Sequence, residues 1–535
     1  MTTDTIEEST SVLESSNVER AEEAFGLRVR QADVQRDEPL PEHPDNGDED
    51  RYPEKFASYT KGLPHDTIGE VELSAYQQLS DAVTSGRTAD FDNIPLGAPN
   101  PTKQRKLVNP QSGHAFDLAG ADSHHLQMPP APAFASAEQA GEMVENYWMA
   151  LLRDVPFTDY DTDPLAAAAT ADLSNLSDFR GPKANGQVTA GLLFRGFTTG
   201  DRLGPYLSQF LLQTAMFGAE IIEQRILTTL PGSDFMTTFS DWLDVQRGTQ
   251  RNDPVFDQTR RYIRNGRDAS QYVHIDVLFQ AYFDACLILS RSKNAAGMTA
   301  PLNPGSPYRN SRTQEGFGTF GEPHIKGLLG EVAVRALKAV WYQKWLVHKR
   351  LRPEVYAARV DSNNNGTKAY PVHDDVLNSD VLDAIFASNA GNPQNAGEGG
   401  HLLPMAFPEG SPLHPSYGSG HATVGGACVT VLKWFFDETT PIEDPKVPNP
   451  DGTQLVDYTG PDRDTLTVGG ELDKLASNIG IGRNIAGVHW RSDYVESLRL
   501  GEKVAIATLL DFKATVAEDF NGGRFTTFDG QTITV

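Results

Sequence analysis

Cysteine is nearly absent: Cys286 and Cys428 are the only two in 535 residues, so no disulfide framework organises this chain. Both lie in apolar stretches and read as small core residues. Basic charge is scarce too. Against 72 Asp and Glu there are 46 Lys and Arg, 16 of them lysine, and the formal net charge of -26 excludes a nucleic-acid binder or a protein that clings to anionic membranes. No apolar run approaches the length of a membrane span. The opening MTTDTIEEST has neither the basic start nor the apolar stretch of a signal peptide, so the expected location is cytoplasmic. Strand signals are sparse, the clearest being FTTFDGQTITV at the C-terminus, where Asp529-Gly530 turns a hairpin.

The acidity is uneven. Residues 1–50 hold 15 acidic and 4 basic side chains with few apolar ones. Such a segment buries too little surface to offset its ordering entropy, so residues 1–65 are expected to form an acidic, mobile arm ahead of one helical unit, 66–535. From Ser136 the chain reads as helices. Ser136 and Gln139 make a capping box ahead of Met143, Val144, Tyr147, Trp148 and Leu151 at helical spacing. Amphipathic runs follow at 206–227, 271–290, 380–388, 422–436 and 494–512. The expected class is all-α, helices packed around a central cavity, with minor short β-hairpins.

Three segments far apart in sequence carry the chemistry: QKWLVHKRLRPE (343–354), HPSYGSGHATVGGA (414–427) and GRNIAGVHWRSD (482–493). In the first, Trp341, Lys344, His348 and Arg352 follow at three- and four-residue steps on a helix expected over 326–351, which Pro353 stops. Arg352 would then project from the helix end with Lys344 two turns back. In the second, Ser419-Gly420-His421 precedes a helix whose free N–H groups suit an anion. Ser112-Gly113-His114 has the same three letters but no helix after it, and reads as a loop. In the third, Asp493 stands four residues after His489, placed to hold one imidazole nitrogen and free the other. Singly, each basic residue reads as a solvated charge and each histidine as a buried structural one. Together Lys344, Arg352 and Arg483 form a cage for a tetrahedral oxyanion. The Gly- and Asn-rich loop 389–401 is expected on its rim.

These segments resemble the three signatures of the vanadium-dependent haloperoxidases, which share an active-site plan with the type 2 phosphatidic acid phosphatase superfamily. Seven residues separate Lys344 from Arg352 and His414 precedes His421 by seven, as in the bromoperoxidase branch. Gly418 departs from the proline usual in the algal enzymes, and Trp341 is like the brown-algal type. SAEQAGEMVENYWMALLRDVPF (136–157) and NPQSGHAFDL (109–118) also look like family segments, and the likeness covers roughly residues 66–520.

The resemblance implies paired four-helix bundles packed as one unit and a vanadate cofactor, with no haem and no nucleotide. It implies His489 as the ligand to vanadium, with Lys344, Arg352, Ser419, Gly420 and Arg483 holding the vanadate oxygens. His421 would take a proton from hydrogen peroxide, Lys344 would polarise the activated oxidant, Asp493 would orient His489, and His414, able to titrate near pH 6, would help set halide choice. Implied partners are hydrogen peroxide, bromide and iodide, small organic acceptors and further copies of the chain, from dimer up to dodecamer. Two other readings compete. A phosphohydrolase would use the same cage with His489 as nucleophile, and a non-catalytic oxyanion store would keep the fold without turnover.

Overall fold

The 3.6-residue apolar period becomes long helices, and four of them build the bundle that carries the site. The computed structural model describes residues 17–290 and 300–535. Helix Gly420–Phe435, buried on nearly every face, lies at the centre and packs against Glu322–Tyr342, Val468–Ile485 and Arg491–Lys513. A second group of helices gathers around Ala137–Leu151 and includes Pro164–Asn175, Pro353–Asn365 and Val381–Gly391. Among the described residues, sheet is confined to three two-stranded antiparallel hairpins, the last pairing Arg524–Thr526 with Thr532–Thr534 as expected. Cys286 and Cys428 are buried and unbridged. Among the described residues no single helix is long and apolar enough to cross a membrane.

Several expectations are corrected. The helix expected over 326–351 runs Glu322–Tyr342, then widens into a π-turn, Gln343–His348, and ends where Lys349 takes a left-handed φ of 40°. Pro353 does not stop that helix but starts the next one, Pro353–Asn365, because a proline at the first helical position removes only an N–H that would lack a partner anyway. The shared face of Trp341, Lys344, His348 and Arg352 is therefore broken. His348 turns to the Tyr417 ring, 4.7 Å away, instead of to the cage. The run 206–227 is not helical: Gly218, at φ 62°, makes the turn of a hairpin, Ala215–Phe217 with Glu220–Ile222. The run 271–290 splits between helices Gly266–Ile275 and Gln280–Leu289.

The acidic arm gives way to packed chain well before residue 65. Helix Asn17–Asp37 buries no residue, but Phe56, Tyr59, Lys61 and Leu63 are buried, and Lys61 pairs with Glu354 at 2.6 Å. The segment MTTDTIEEST, read as lacking a signal, lies outside the described residues.

The central helix and Arg491–Lys513 touch backbone to backbone. A Cβ on Gly426 would stand 2.1 Å from the Leu498 carbonyl oxygen, and one on Gly501 would stand 2.0 Å from that of Thr423. Gly327, on the exposed side of Glu322–Tyr342, has nothing within 4 Å of the same position. Gly426→Ala should therefore cost about 1–3 kcal/mol by overpacking, despite the better helix propensity of alanine. Gly327→Ala should instead gain up to about 1 kcal/mol. Urea unfolding of the two variants checks this; equal effects would contradict the close crossing.

Candidate functional site

Four helix ends meet at one cavity of about 280 Å³, lined by His414, Gly420, His421, Arg483 and His489 together with Trp341. Lys344 comes from the π-turn and Arg352 from the residue capping Pro353–Asn365. Ser419 caps Gly420–Phe435, its side chain accepting from the Ala422 N–H, and His421 is the second residue of that helix. Arg483 sits in the last turn of Val468–Ile485, and Asp493 in the first turn of Arg491–Lys513. Gly420 leaves room for Trp341, whose ring atom Cζ3 would stand 3.2 Å from a Cβ there.

The cations are buried and unpaired. Lys344 and Arg352 are 0% exposed and Arg483 is 6% exposed. None of the three has a carboxylate within 4.0 Å among the described residues, whereas Lys61, Arg350 and Arg491 each meet Glu or Asp within that limit. Lys344 Nζ donates to the carbonyls of Pro415 (2.8 Å) and Ser416 (2.9 Å). Burial, and then Arg352, hold its pKa well below the ordinary lysine value. Arg352 spreads its donors over the carbonyls of His414, Pro415 and Val488, and burial pushes its pKa down to about 10. Arg483 donates to the Val273 carbonyl at 2.6 Å, while its buried Nε has no partner. Burial pushes it, too, down to about 10. An orphaned donor beside three uncompensated charges fits a tetrahedral oxyanion.

His489 is locked into one tautomer. His489 Nδ1 lies 2.7 Å from Asp493 Oδ2, and its Nε2 lies 3.0 Å from Arg352 NH1, which can only donate. The ring is therefore neutral, with its proton on Nδ1 and a lone pair on Nε2, the form that binds a metal. Burial, and then Arg352, hold its pKa well below the ordinary histidine value. His414 Nδ1 lies 2.9 Å from Arg352 NH2 and 3.1 Å from the Pro415 carbonyl oxygen, placed to accept from the first or donate to the second. Burial, then Lys344, hold the pKa of His414 well below the ordinary histidine value. His421 Nε2 lies 2.9 Å from Asp276 Oδ1, so Nδ1 is the ring nitrogen left for a reactant. Burial alone would raise the pKa of Asp276, but the nearby His421 brings it below the usual carboxylate value.

Of the expected site residues, His414, Gly420, His421, Arg483 and His489 line the cavity, Arg352 and Asp493 reach it through His489, Lys344 holds the 415–416 carbonyls and Ser419 caps the helix behind it, while the loop 389–401 does not join the rim. Its residues Asn395, Glu398 and His401 line a separate hollow with Asp361 and Phe386, and Phe407–Pro412 takes the expected place. Ser112-Gly113-His114 forms a short 3₁₀ turn, with His114 Nε2 at the Val83 carbonyl, outside the cavity. Sequence reasoning missed the groups behind the site. Asp493 does not face His489 along a helix; it caps the helix start, also accepting from the Trp490 N–H at 3.2 Å and the Ser416 hydroxyl. Arg350 fastens it, donating to Asp493 Oδ1 (2.8 Å), Glu142 Oε2 (2.7 Å) and Gln139 Oε1 (2.7 Å). Arg350 lies inside the first motif and was legible there. Asp276 and Glu142 had no sequence signal.

A family model described as the VCPO second helical-bundle domain matches residues 330–518, a span that takes in all three motif segments. A vanadium-dependent bromoperoxidase of Corallina pilulifera is 38% identical over 92% of this chain and 92% of its own. Another, of Ascophyllum nodosum, is 35% identical over 89% of this chain and 86% of its own. The solved homohexameric second vanadate-dependent bromoperoxidase of Ascophyllum nodosum superposes with a TM-score of 0.91 at 32% identity, covering 97% of this chain and 90% of its own. Likeness on this scale spans both helical groups and the cavity, and the chain belongs to the vanadium-dependent bromoperoxidase family.

Proposed function

We propose that the cavity holds vanadate and that the enzyme uses hydrogen peroxide to oxidise bromide, and iodide, to a hypohalous acid or its equivalent, which halogenates small organic acceptors. The observation that carries this reading is the set of three buried cations with no carboxylate partner, arranged beside a neutral His489 whose Nε2 lone pair is free of protons. Bound vanadate supplies a Lewis-acid centre at which hydrogen peroxide is activated toward halide attack.

The chain's own groups do the rest. His489 Nε2 would be the ligand to vanadium, and Arg352, now in contact with that nitrogen at 3.0 Å, would hold an oxygen of the oxyanion. Lys344, Arg352 and Arg483 neutralise the oxyanion, while the Ser419 hydroxyl and the Gly420 N–H at the helix start add donors. His421 Nδ1 accepts the proton of incoming peroxide, with Asp276 holding the opposite nitrogen. Lys344 polarises the oxygens bound beside it. Trp341, Phe407, Leu278 and Leu337 give the cavity an apolar lining that limits bulk water and strengthens each charge within. Hydrogen peroxide, bromide and one proton then give hypobromous acid and water.

We extend the reading to assembly as a homo-oligomer. The solved Ascophyllum relative is homohexameric, and here the Asn17–Asp37 helix buries nothing within its own subunit while Val18, Phe25 and Val34 stay exposed. Light scattering should return a multiple of the 58.5 kDa chain mass, whereas a monomer at micromolar concentration would contradict this part.

Binding and turnover should separate between two histidines. In equilibrium dialysis, His489→Ala should weaken vanadate binding roughly 100-fold or more, because a direct ligand is lost. His421→Ala should still bind vanadate, while kcat falls about 10²–10⁴-fold for want of the base. Phosphate, of the same shape, should compete with vanadate in wild type. Unaltered vanadate binding in both variants would refute the assignment.

Halide choice provides a further check at His414. His414→Phe removes the ring nitrogen that lies against Arg352 and makes the wall more apolar, so the cationic pull on the bound oxidant increases. The ratio of chloride to bromide oxidation should rise several-fold with vanadate still bound. An unchanged ratio would show that His414 does not set halide preference.

A further inference from the structure

One cation in the cavity comes from none of the three motif segments. Arg105 belongs to the stretch before NPQSGHAFDL, and its backbone N–H donates to the Gly248 carbonyl at 2.9 Å beside a bridge from Gln104 to Thr249. That anchor carries the side chain to the wall formed by Phe407, Glu409, Gly410 and Pro412. One guanidinium nitrogen, NH1, donates to the Glu409 carbonyl at 3.1 Å.

No carboxylate lies within 4.0 Å of Arg105 among the described residues, because its acidic neighbours are already engaged. The Glu409 carboxylate meets His274 Nε2 at 2.7 Å. Glu354 is held by Lys61 at 2.6 Å and by the Ser411 N–H at 3.0 Å. Burial lowers the Arg105 pKa below the ordinary arginine value, so the charge is held there against a cost.

Arg105 lines the same cavity beside the stacked rings of His274 and Phe407, 3.9 Å apart, and its side-chain hydrogen bond goes to the Glu409 carbonyl, not to the 414–416 carbonyls that hold Lys344 and Arg352.

We propose that Arg105 forms an outer halide-binding position that sets the KM for bromide. This inference rests on the bromide-oxidising reading of the site. Of the reactants, peroxide is neutral and the halide is a weakly hydrated single charge, which pairs well with a weakly hydrated guanidinium beside apolar surface. The Glu409–His274 pair keeps the net charge of the cavity wall low, so a monovalent ion is favoured there over a second multivalent oxyanion.

The test is steady-state kinetics of vanadate-loaded Arg105→Gln, which removes the charge but keeps a donor for the Glu409 carbonyl, alongside Arg105→Lys. Loss of a charged partner should raise the bromide KM about tenfold in Arg105→Gln, while the peroxide KM and the vanadate Kd stay within about twofold. Arg105→Lys should restore the bromide KM to within about threefold, since it restores the charge. An unchanged bromide KM in Arg105→Gln would overturn the proposal. So would peroxide KM and vanadate Kd moving in step with it, the mark of a merely structural residue. Absence of any vanadate-dependent bromide oxidation in wild type would instead overturn the function proposed for the whole cavity.

Discussion

Three buried positive charges stand together with no carboxylate within 4.0 Å of any of them among the described residues, and the site is built around that imbalance. Taking a cation out of water costs several kcal/mol on the order-of-magnitude scale for buried ions, and the usual remedy is a carboxylate. The chain uses that remedy repeatedly elsewhere, at Lys61 with Glu354, Arg491 with Glu145 and Lys474 with Glu471. It withholds the remedy from Lys344, Arg352 and Arg483. Carbonyls from residues 414–416, 273 and 488 satisfy part of their donor capacity, and the carboxylates that act on their charge do so from beyond ion-pair distance. Such a cavity is incomplete without an anion.

The helix packing keeps the incomplete state from collapsing. Gly426 and Gly501 let two helices cross at backbone contact, which fixes the start of Gly420–Phe435 against the start of Arg491–Lys513. Asp493 then serves as the junction. It orients His489, accepts from Ser416 and is itself fixed by Arg350, whose other nitrogen reaches Glu142 on Ala137–Leu151. A buried ion pair of this kind adds little net stability but ties two helical groups into one geometry. The cations cannot drift toward Asp493, because its oxygens are already committed.

The long helices and the cage were legible in the sequence for a shared reason: each is encoded by close spacing. Lys344 to Arg352, Ser419 to His421 and His489 to Asp493 are each within nine residues. The geometry between them was less accessible. Spacing alone placed Arg352 at the end of a continuous helix, while the π-turn at 343–348 and the left-handed Lys349 redirect it to cap the next helix. Partners supplied by distant chain were hidden, as with Asp276, 145 positions from His421, and Glu142, 208 from Arg350. The hairpin at 215–222 was mistaken for helix because its apolar run is long, and the glycine that turns it sits inside that run.

Urea unfolding of wild type and Arg483→Met, each with and without vanadate, tests the central claim most directly. Arg483 is the cation with an orphaned donor and the fewest carbonyl bonds to lose. Without vanadate the variant should be as stable as wild type or more so, since an uncompensated buried charge has been removed. At vanadate concentrations about 100 times the wild-type Kd, wild type should gain about 2.7 kcal/mol and the variant much less. A variant that loses several kcal/mol without vanadate, yet gains as much from it as wild type, would show that the cavity does not depend on an anion for its missing charge.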